Sequence, residues 1–168
     1  MTCLLFASSL ECQFVMSKPL EILVSGAGIA GSVFASCLLR AFPDAQITMV
    51  ERTPSLRLTG ASVDIRGSAV DIIKEMGVEP QIRSASTREE GCQYVHADGS
   101  PIATIFATGR TDIQSITSEY EIFRGKLANI FLEPVADRLD LIFGDSVSHY
   151  EQSDARVGVT FALSLIHI

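Results

Sequence analysis

Apolar residues in the first third of the chain follow two different patterns. A continuous apolar run over Glu21–Ser25 ends at a glycine and predicts a strand buried on both faces. Apolar residues then recur at helical spacing over Ile29–Phe42, and Pro43 ends that segment. A second strand is predicted over Gln46–Val50. The order of strand, helix and strand indicates a βαβ unit with parallel strands.

Beyond this unit the predicted elements are shorter, and most are strands. A loop with Pro54 is predicted over residues 53–59, and amphipathic helices over Ser68–Met76 and Gly125–Ala136. The sequence Ala97-Asp98-Gly99-Ser100 is typical of a hairpin turn. The predicted short strands are Ala61–Arg66, Gln93–His96, Ile102–Phe106, Glu119–Phe123, Leu139–Phe143, Val147–Tyr150 and Val157–Phe161. The fold class is therefore α/β, a Rossmann-like βαβ unit with added antiparallel strands.

The turn after the first predicted strand carries a complete G-x-G-x-x-G motif. Its residues are Gly26, Ala27, Gly28, Ile29, Ala30 and Gly31. In this motif the first glycine allows a tight turn, the second lets a pyrophosphate approach the backbone, and the third lets the helix pack closely. The phosphates then lie at the positive end of the helix, where backbone N–H groups point outward. The motif predicts dinucleotide binding, and a βαβ unit without a ligand is the structural alternative.

Glu51 ends the second predicted strand about twenty residues after the last glycine of the motif. A carboxylate at this point can accept hydrogen bonds from both hydroxyl groups of an adenosine ribose. It would also repel a 2′-phosphate, so NADP is not expected in this site. The motif and its acid together leave NAD and FAD as candidates.

Composition and charge argue against several other classes of function. The net charge of −7 over 168 residues offers no basic surface to a nucleic acid. No apolar run reaches the ~18–20 residues of a membrane span. The four cysteines show no metal-binding spacing, and we expect a reducing, cytoplasmic compartment with Cys37 in the core. The histidines His96 and His149, the acids Glu89 and Glu90, and the run Glu119–Glu121 are expected on the surface.

Three segments of the chain resemble the flavin-dependent aromatic-ring hydroxylases. This class of monooxygenase includes salicylate- and hydroxybenzoate-hydroxylase-like enzymes and tetracycline-inactivating monooxygenases. The segments are GAGIAGSVFASCLLR with Glu51-Arg52, then Gly60–Gly67, and last Glu121–Leu127. They occur in family order with family-like spacing, and the resemblance covers roughly residues 19–162.

The resemblance implies FAD as the cofactor and NAD(P)H as a co-substrate. Glu51 would bind the FAD ribose, and Arg52 would lie along the adenosine half. Arg124 would contact the diphosphate or the ribityl chain, and Asp64 would lie near the flavin. Arg57 matches a position linked in some relatives to contact with the nicotinamide cofactor or the flavin. The structural alternatives are a helix-start ion pair for Arg124, a turn or capping role for Asp64, and a solvated loop position for Arg57.

The resemblance also implies the reaction, in which the flavin carries the redox chemistry and no side chain acts as a nucleophile. NAD(P)H reduces FAD, the reduced flavin reacts with O₂, and an oxygen atom enters an aromatic or polyketide-like small molecule. An NAD-linked oxidoreductase and a non-catalytic Rossmann-like binding module are the alternative functions.

The sequence is predicted to divide into three parts. Residues 1–15 are predicted to be an extension outside the fold, and residues 16–162 a partial, truncated FAD/NAD(P)-binding domain. Residues 163–168, LSLIHI, resemble the translation of a sequencing adapter, and a genuine apolar C-terminal strand is the alternative. The resemblance implies that relatives continue into a second FAD motif, an apolar strand ending in G-A-D-G, and then into a substrate-binding half. Because the given sequence contains neither, we expect the polypeptide by itself to bind FAD weakly or not at all and to be inactive.

Overall fold

The computed structural model describes residues 19–108, 120–154 and 156–163, so the predicted extension over residues 1–15 lies outside it. The described residues form nine strands and four α-helices. The strands are β1 (Glu21–Ser25), β2 (Gln46–Glu51), β3 (Ser62–Asp64), β4 (Gly91–Val95), β5 (Pro101–Phe106), β6 (Glu121–Phe123), β7 (Leu139–Phe143), β8 (Val147–Gln152) and β9 (Val157–Phe161). The helices are α1 (Ile29–Ala41), α2 (Ser68–Glu75), α3 (Glu79–Ala85) and α4 (Arg124–Leu132), and a 3₁₀ helix, Glu133–Arg138, follows α4.

A three-stranded parallel sheet in the order β1-β2-β7 forms the centre of the fold. Its apolar side chains alternate between two faces, which explains the continuous apolar runs in the sequence. On one face, Val24, Ile47 and Met49 pack with Ala35 of α1 and Leu132 of α4. On the other face, the antiparallel hairpin β8–β9 covers the sheet. The predicted βαβ unit and its buried strands are confirmed.

A second core lies beside the first, and α4 belongs to both. Leu127 and Phe131 of α4 pack with Ile122 of β6, Ile73 of α2 and Ile82 of α3. Ile82 and Ile122 are fully buried. Burying one such side chain contributes roughly 1.5–3 kcal/mol, so this cluster holds α2, α3 and the β3–β6 pair against the βαβ unit.

Two parts of the predicted helix pattern are wrong in detail. Helix α3 is absent from the sequence prediction, because it is short and Ile82 is its one deeply buried residue. Its place is fixed by polar contacts with Tyr120, the residue before β6: Tyr120 donates a hydrogen bond to Glu79 Oε1 at 2.7 Å, and Arg83 lies over the Tyr120 ring. The helix predicted over Gly125–Ala136 changes to a 3₁₀ helix at Glu133, because Pro134 cannot donate the next α-helical hydrogen bond.

The predicted surface positions are mostly confirmed. His96 and His149 are exposed, and the predicted β4–β5 hairpin forms around residues 97–100. Cys37 is also exposed, which corrects the expectation that it belongs to the core, because the buried stripe of α1 runs through Ser32, Ala35 and Leu39. None of the helices in the described ranges is long and apolar enough to cross a membrane.

Candidate cofactor-binding site

The glycine turn joins β1 to α1 at the carboxyl edge of the parallel sheet. Gly26 adopts φ +103°, a left-handed conformation that favours glycine, and its N–H donates to the Val50 carbonyl at 2.7 Å. At Gly31 a Cβ atom would lie 2.0 Å from the Gly26 carbonyl oxygen. A side chain at position 31 would therefore push α1 away from the turn.

The start of α1 leaves room and hydrogen-bond donors for an anion. Gly28 is the residue before the helix, and no atom lies within 4 Å of where its Cβ would be. No side chain caps the helix and no acid lies in its first turn. Ile29 is half-buried against the second core, and Ala30 is exposed. The unpaired N–H groups and the helix dipole both favour negative charge at this point.

Glu51, the last residue of β2, lies against the glycine turn. Its Oε2 accepts a hydrogen bond from the Ala27 N–H at 3.0 Å, and its Oε1 accepts from the Thr53 N–H and hydroxyl, each at 3.0 Å. Partial burial acts to raise the pKa of Glu51, but these hydrogen bonds and the charge of Arg52 outweigh it and lower the pKa. The carboxylate is therefore charged at neutral pH and fixed in orientation.

The end of β7 completes the same edge of the sheet. The Gly144 N–H donates to the carbonyls of Glu51 at 2.8 Å and Thr53 at 3.0 Å. Asp145 is buried, and its Oδ1 accepts hydrogen bonds from the Ser146 N–H at 2.8 Å and the Leu163 N–H at 3.0 Å. Three parallel strands thus end together beside the turn, which is where open α/β sheets bind their ligands.

The structure brings Arg57 and Arg124 into one region although 67 positions separate them in the sequence. A Cβ atom on Gly125 would lie 1.8 Å from the Arg57 carbonyl oxygen, so the 53–60 loop rests directly on the start of α4. The Arg124 N–H donates to the Ala61 carbonyl at 3.1 Å. Among the described residues, the exposed Arg124 guanidinium has no hydrogen-bond or ion-pair partner. The helix-start ion pair, which was the structural alternative for Arg124, is therefore not formed within the described residues.

Asp64 lies at the end of β3, where it is held by a neighbouring arginine. Arg66 donates to Asp64 Oδ2 from Nε at 3.1 Å and from Nη2 at 2.8 Å. The carboxylate is partly exposed, and an ion pair of this kind contributes about 0–1 kcal/mol. Asp64 pairs with Glu121 across the β3–β6 ladder, and Glu121 lies three residues before Arg124 in the chain.

Sequence reasoning missed three residues of this region. Thr53 fixes Glu51, and a hydroxyl two residues after an acid is a recognisable local signal. Gly125 permits the contact with the 53–60 loop, and a glycine inside a helical pattern often has such a packing reason. The expectation that Glu121 lies on the surface is wrong: its side chain is buried at 9% exposure, because β6 is covered by two other segments.

The chain is similar in sequence to known flavin-dependent monooxygenases. No protein-family model matches the chain. The FAD-dependent monooxygenase asL4 of Sarocladium schorii is 37% identical over 134 residues, which cover 79% of this chain and 31% of asL4. A flavin-dependent monooxygenase of Legionella longbeachae is 35% identical over 151 residues, covering 87% of this chain and 36% of that protein.

Solved structures give the same result for the fold. The crystal structure of tetracycline destructase Tet(51) has a TM-score of 0.67 and 33% identity over 88% of this chain and 36% of its own. CtdE in complex with FAD has a TM-score of 0.65 at 17% identity, which shows the shared fold alone. The chain is thus similar to flavin-dependent monooxygenases and spans about a third of their length. These similarities confirm the α/β fold class and the resemblance predicted from the sequence.

Proposed function

We propose that this chain binds the adenosine diphosphate half of FAD as part of a flavin-dependent monooxygenase. The observation that carries the proposal is the Glu51 carboxylate, which the Ala27 N–H and Thr53 hold in place beside the open glycine turn. A fixed negative charge at this position suits a ribose with free 2′- and 3′-hydroxyls and opposes a 2′-phosphate.

The residues present fit the cofactor. In the proposed complex Glu51 accepts hydrogen bonds from the ribose hydroxyls, and Arg52 lies along the adenosine half. The pyrophosphate lies at the start of α1, with Gly26, Gly28, Ile29, Ala30 and Gly31 forming the turn. Arg124, which has no partner among the described residues, contacts the diphosphate or ribityl region. Asp64 lies near the flavin, and Arg57 contacts either the flavin or the nicotinamide co-substrate.

Bound FAD would supply the redox chemistry: it passes electrons from NAD(P)H to O₂, so that one oxygen atom hydroxylates the substrate and the other leaves as water. The chain's own residues bind and orient the cofactor. The proposed substrate is an aromatic or polyketide-like small molecule, and the proposed compartment is the cytoplasm. Within the chain, residues 16–162 are proposed as a partial FAD-binding domain, with residues 1–15 and 163–168 outside it.

A competition titration tests the binding proposal. FAD is added to the 168-residue chain and followed by fluorescence anisotropy, with ADP, FMN and NAD⁺ as competitors. We expect weak FAD binding, with a dissociation constant on the order of 0.1–1 mM. ADP should bind with an affinity similar to that of FAD and displace it, whereas FMN should not displace it. Glu51→Gln should weaken FAD and ADP binding by about tenfold or more, because a charged hydrogen-bond acceptor is lost.

Glu75→Gln is the matched control, since Glu75 is exposed on α2, away from the turn. Tight binding of NAD⁺ without binding of FAD would instead identify an NAD-linked oxidoreductase. Absence of nucleotide binding both by the folded chain and by the protein extended in frame beyond codon 162 would contradict the proposal and leave a non-catalytic module.

A second experiment addresses the whole protein. The transcript is sequenced across codon 162, and a continuation in frame that encodes an apolar strand ending in G-A-D-G is expected. The protein of that length is then assayed for NAD(P)H oxidation and for transfer of ¹⁸O from labelled O₂ to an aromatic substrate. A genomic stop codon directly after the described domain would argue against a monooxygenase.

A further inference from the structure

Glu121 is a buried carboxylate outside the glycine turn. It lies on β6, its side chain is 9% exposed, and it directly precedes the Ile122-Phe123-Arg124 sequence that leads into α4. A buried carboxylate is costly unless hydrogen bonds compensate it, so its partners indicate what it does.

The partners of Glu121 come from two separate segments. The Ser62 hydroxyl, on β3, donates to Oε1, and the Thr87 hydroxyl donates to Oε2 at 2.8 Å. The Thr87 N–H also donates to the Glu121 backbone carbonyl at 2.8 Å. The side chain thus joins β3, β6 and the segment that follows α3.

A third contact comes from the same segment. The Glu89 carboxyl group also lies against Glu121, and the hydrogen bond between them raises the pKa of Glu89. Between Thr87 and Glu89, Arg88 adopts φ +56°, a conformation that residues other than glycine seldom adopt. The backbone therefore takes an unfavourable conformation at the point where both neighbours face Glu121, as is typical of functional regions.

The segments joined by Glu121 are those that place the proposed FAD-contacting residues. Ser62 is the first residue of β3, and Asp64 is its last. Ala61, directly before this strand, accepts the hydrogen bond from the Arg124 N–H at 3.1 Å. Releasing Ser62 from Glu121 would loosen β3, and with it the hydrogen bond that fixes the start of α4.

We propose that Glu121 is a positioning residue that holds β3 and the start of α4 together, so that the Arg124 guanidinium stays directed toward the diphosphate of the cofactor. This inference rests on the proposed function, because Arg124 has its role only if the chain binds the diphosphate. It adds a residue that touches no ligand and acts through Arg124.

The test compares Glu121→Ala with Glu121→Gln and uses two ligands, ADP and adenosine. Glu121→Ala should weaken ADP binding about tenfold while adenosine affinity changes less than about twofold, since adenosine offers no phosphate to Arg124. Glu121→Gln should recover most of the ADP affinity, because its amide can bond both hydroxyls. A merely unstable variant would lose both ligands equally, and that result would overturn the inference.

A double-mutant cycle with Arg124→Ala checks the connection. If Glu121 acts through Arg124, Glu121→Ala should cause no further loss of ADP affinity in the Arg124→Ala background. Additive losses would overturn the inference. Glu90→Ala is the matched control, because Glu90 is an exposed acid one residue from Glu89.

Amide hydrogen exchange separates this inference from the proposed function. Glu121→Ala should speed exchange of the Arg124 N–H, whose acceptor is on the loosened strand. If the wild-type chain failed to bind any nucleotide while that exchange still increased, the proposed function would fail and the structural connection would stand. Unchanged exchange would overturn the connection itself.

Discussion

At the scale of single residues, the glycine turn shows how two positions in one motif serve different ends. Gly31 lies where a Cβ atom would overlap the Gly26 carbonyl, so this glycine is required by packing within the protein. Gly28 faces open space, and a side chain there would meet no protein atom within 4 Å. Packing within the protein therefore does not require a glycine at position 28. A glycine there keeps open the space in front of the helix, where the proposed pyrophosphate lies.

Alanine substitutions separate these two roles. Gly31→Ala should lower the free energy of unfolding by about 1–3 kcal/mol, because α1 must move away from β1. Gly28→Ala should lower the free energy of unfolding by less than about 1 kcal/mol, because glycine and alanine differ little in the position before a helix. The same substitution should weaken ADP binding. Urea denaturation and ADP titration measure the two effects. Equal loss of stability in both variants would contradict the assignment.

The acids around Glu121 predict an unusual dependence of stability on pH. The pKa of Glu89 is raised in the folded state. The causes are its hydrogen bond with Glu121, partial desolvation, and repulsion by the charges of Glu121 and Asp64. The unfolded value is near 4.5. The stabilising contribution of Glu89 is therefore fully present below this value and is lost as the pH rises through the folded pKa.

Glu89→Gln should remove this dependence, because the amide donates to Glu121 at every pH and carries no charge. We expect the variant to melt about 1–3 °C above the wild type at pH 7 and at the same temperature near pH 4. Thermal unfolding by circular dichroism between pH 4 and 8 measures the difference. A variant less stable than the wild type at pH 7 would show that Glu89 has a different role.

At the scale of elements, α4 connects the parts of the fold. Leu132 packs against the parallel sheet, whereas Leu127 and Phe131 pack against β6 and α3. Its first turn also supports the 53–60 loop through Gly125. The helix thus places two of the candidate arginines, Arg57 and Arg124, relative to the βαβ unit.

Gly125→Ala should disturb this arrangement at one point. The added methyl group would overlap the Arg57 carbonyl, so the loop must move, at a cost of about 1–3 kcal/mol in unfolding free energy. Lys126→Ala, at the exposed neighbouring position, should change stability by less than about 0.5 kcal/mol. Denaturant unfolding of both variants measures the contrast, and a fully stable Gly125→Ala would show that the loop does not depend on α4.

At the scale of the whole molecule, the β4–β5 hairpin differs from the rest of the described structure. Phe106 is 73% exposed, Ile102 58% and Tyr94 54%, and these residues lie on both faces of a two-stranded sheet. Within the described residues the hairpin pairs with no further strand, and a hairpin with exposed apolar side chains of this kind is prone to associate with other chains.

Phe106→Thr should therefore change self-association more than stability. We expect less association of the purified chain in light scattering, with a change in unfolding free energy within about 0.5 kcal/mol, because the ring loses few contacts. Tyr150→Thr, on the exposed face of β8, is a matched aromatic control. A large loss of stability in Phe106→Thr would mean that the hairpin contributes to the core.

The sequence by itself determined the βαβ unit, the glycine turn and the acid at the end of β2, because each depends on local periodicity and on residues adjacent to one another in the chain. The β4–β5 hairpin followed from alternation and turn residues in the same way. Only the tertiary structure decided that Glu121 is buried and that the Arg57 backbone rests on Gly125, next to Arg124. These features depend on contacts between segments far apart in the chain, and no local pattern records such contacts.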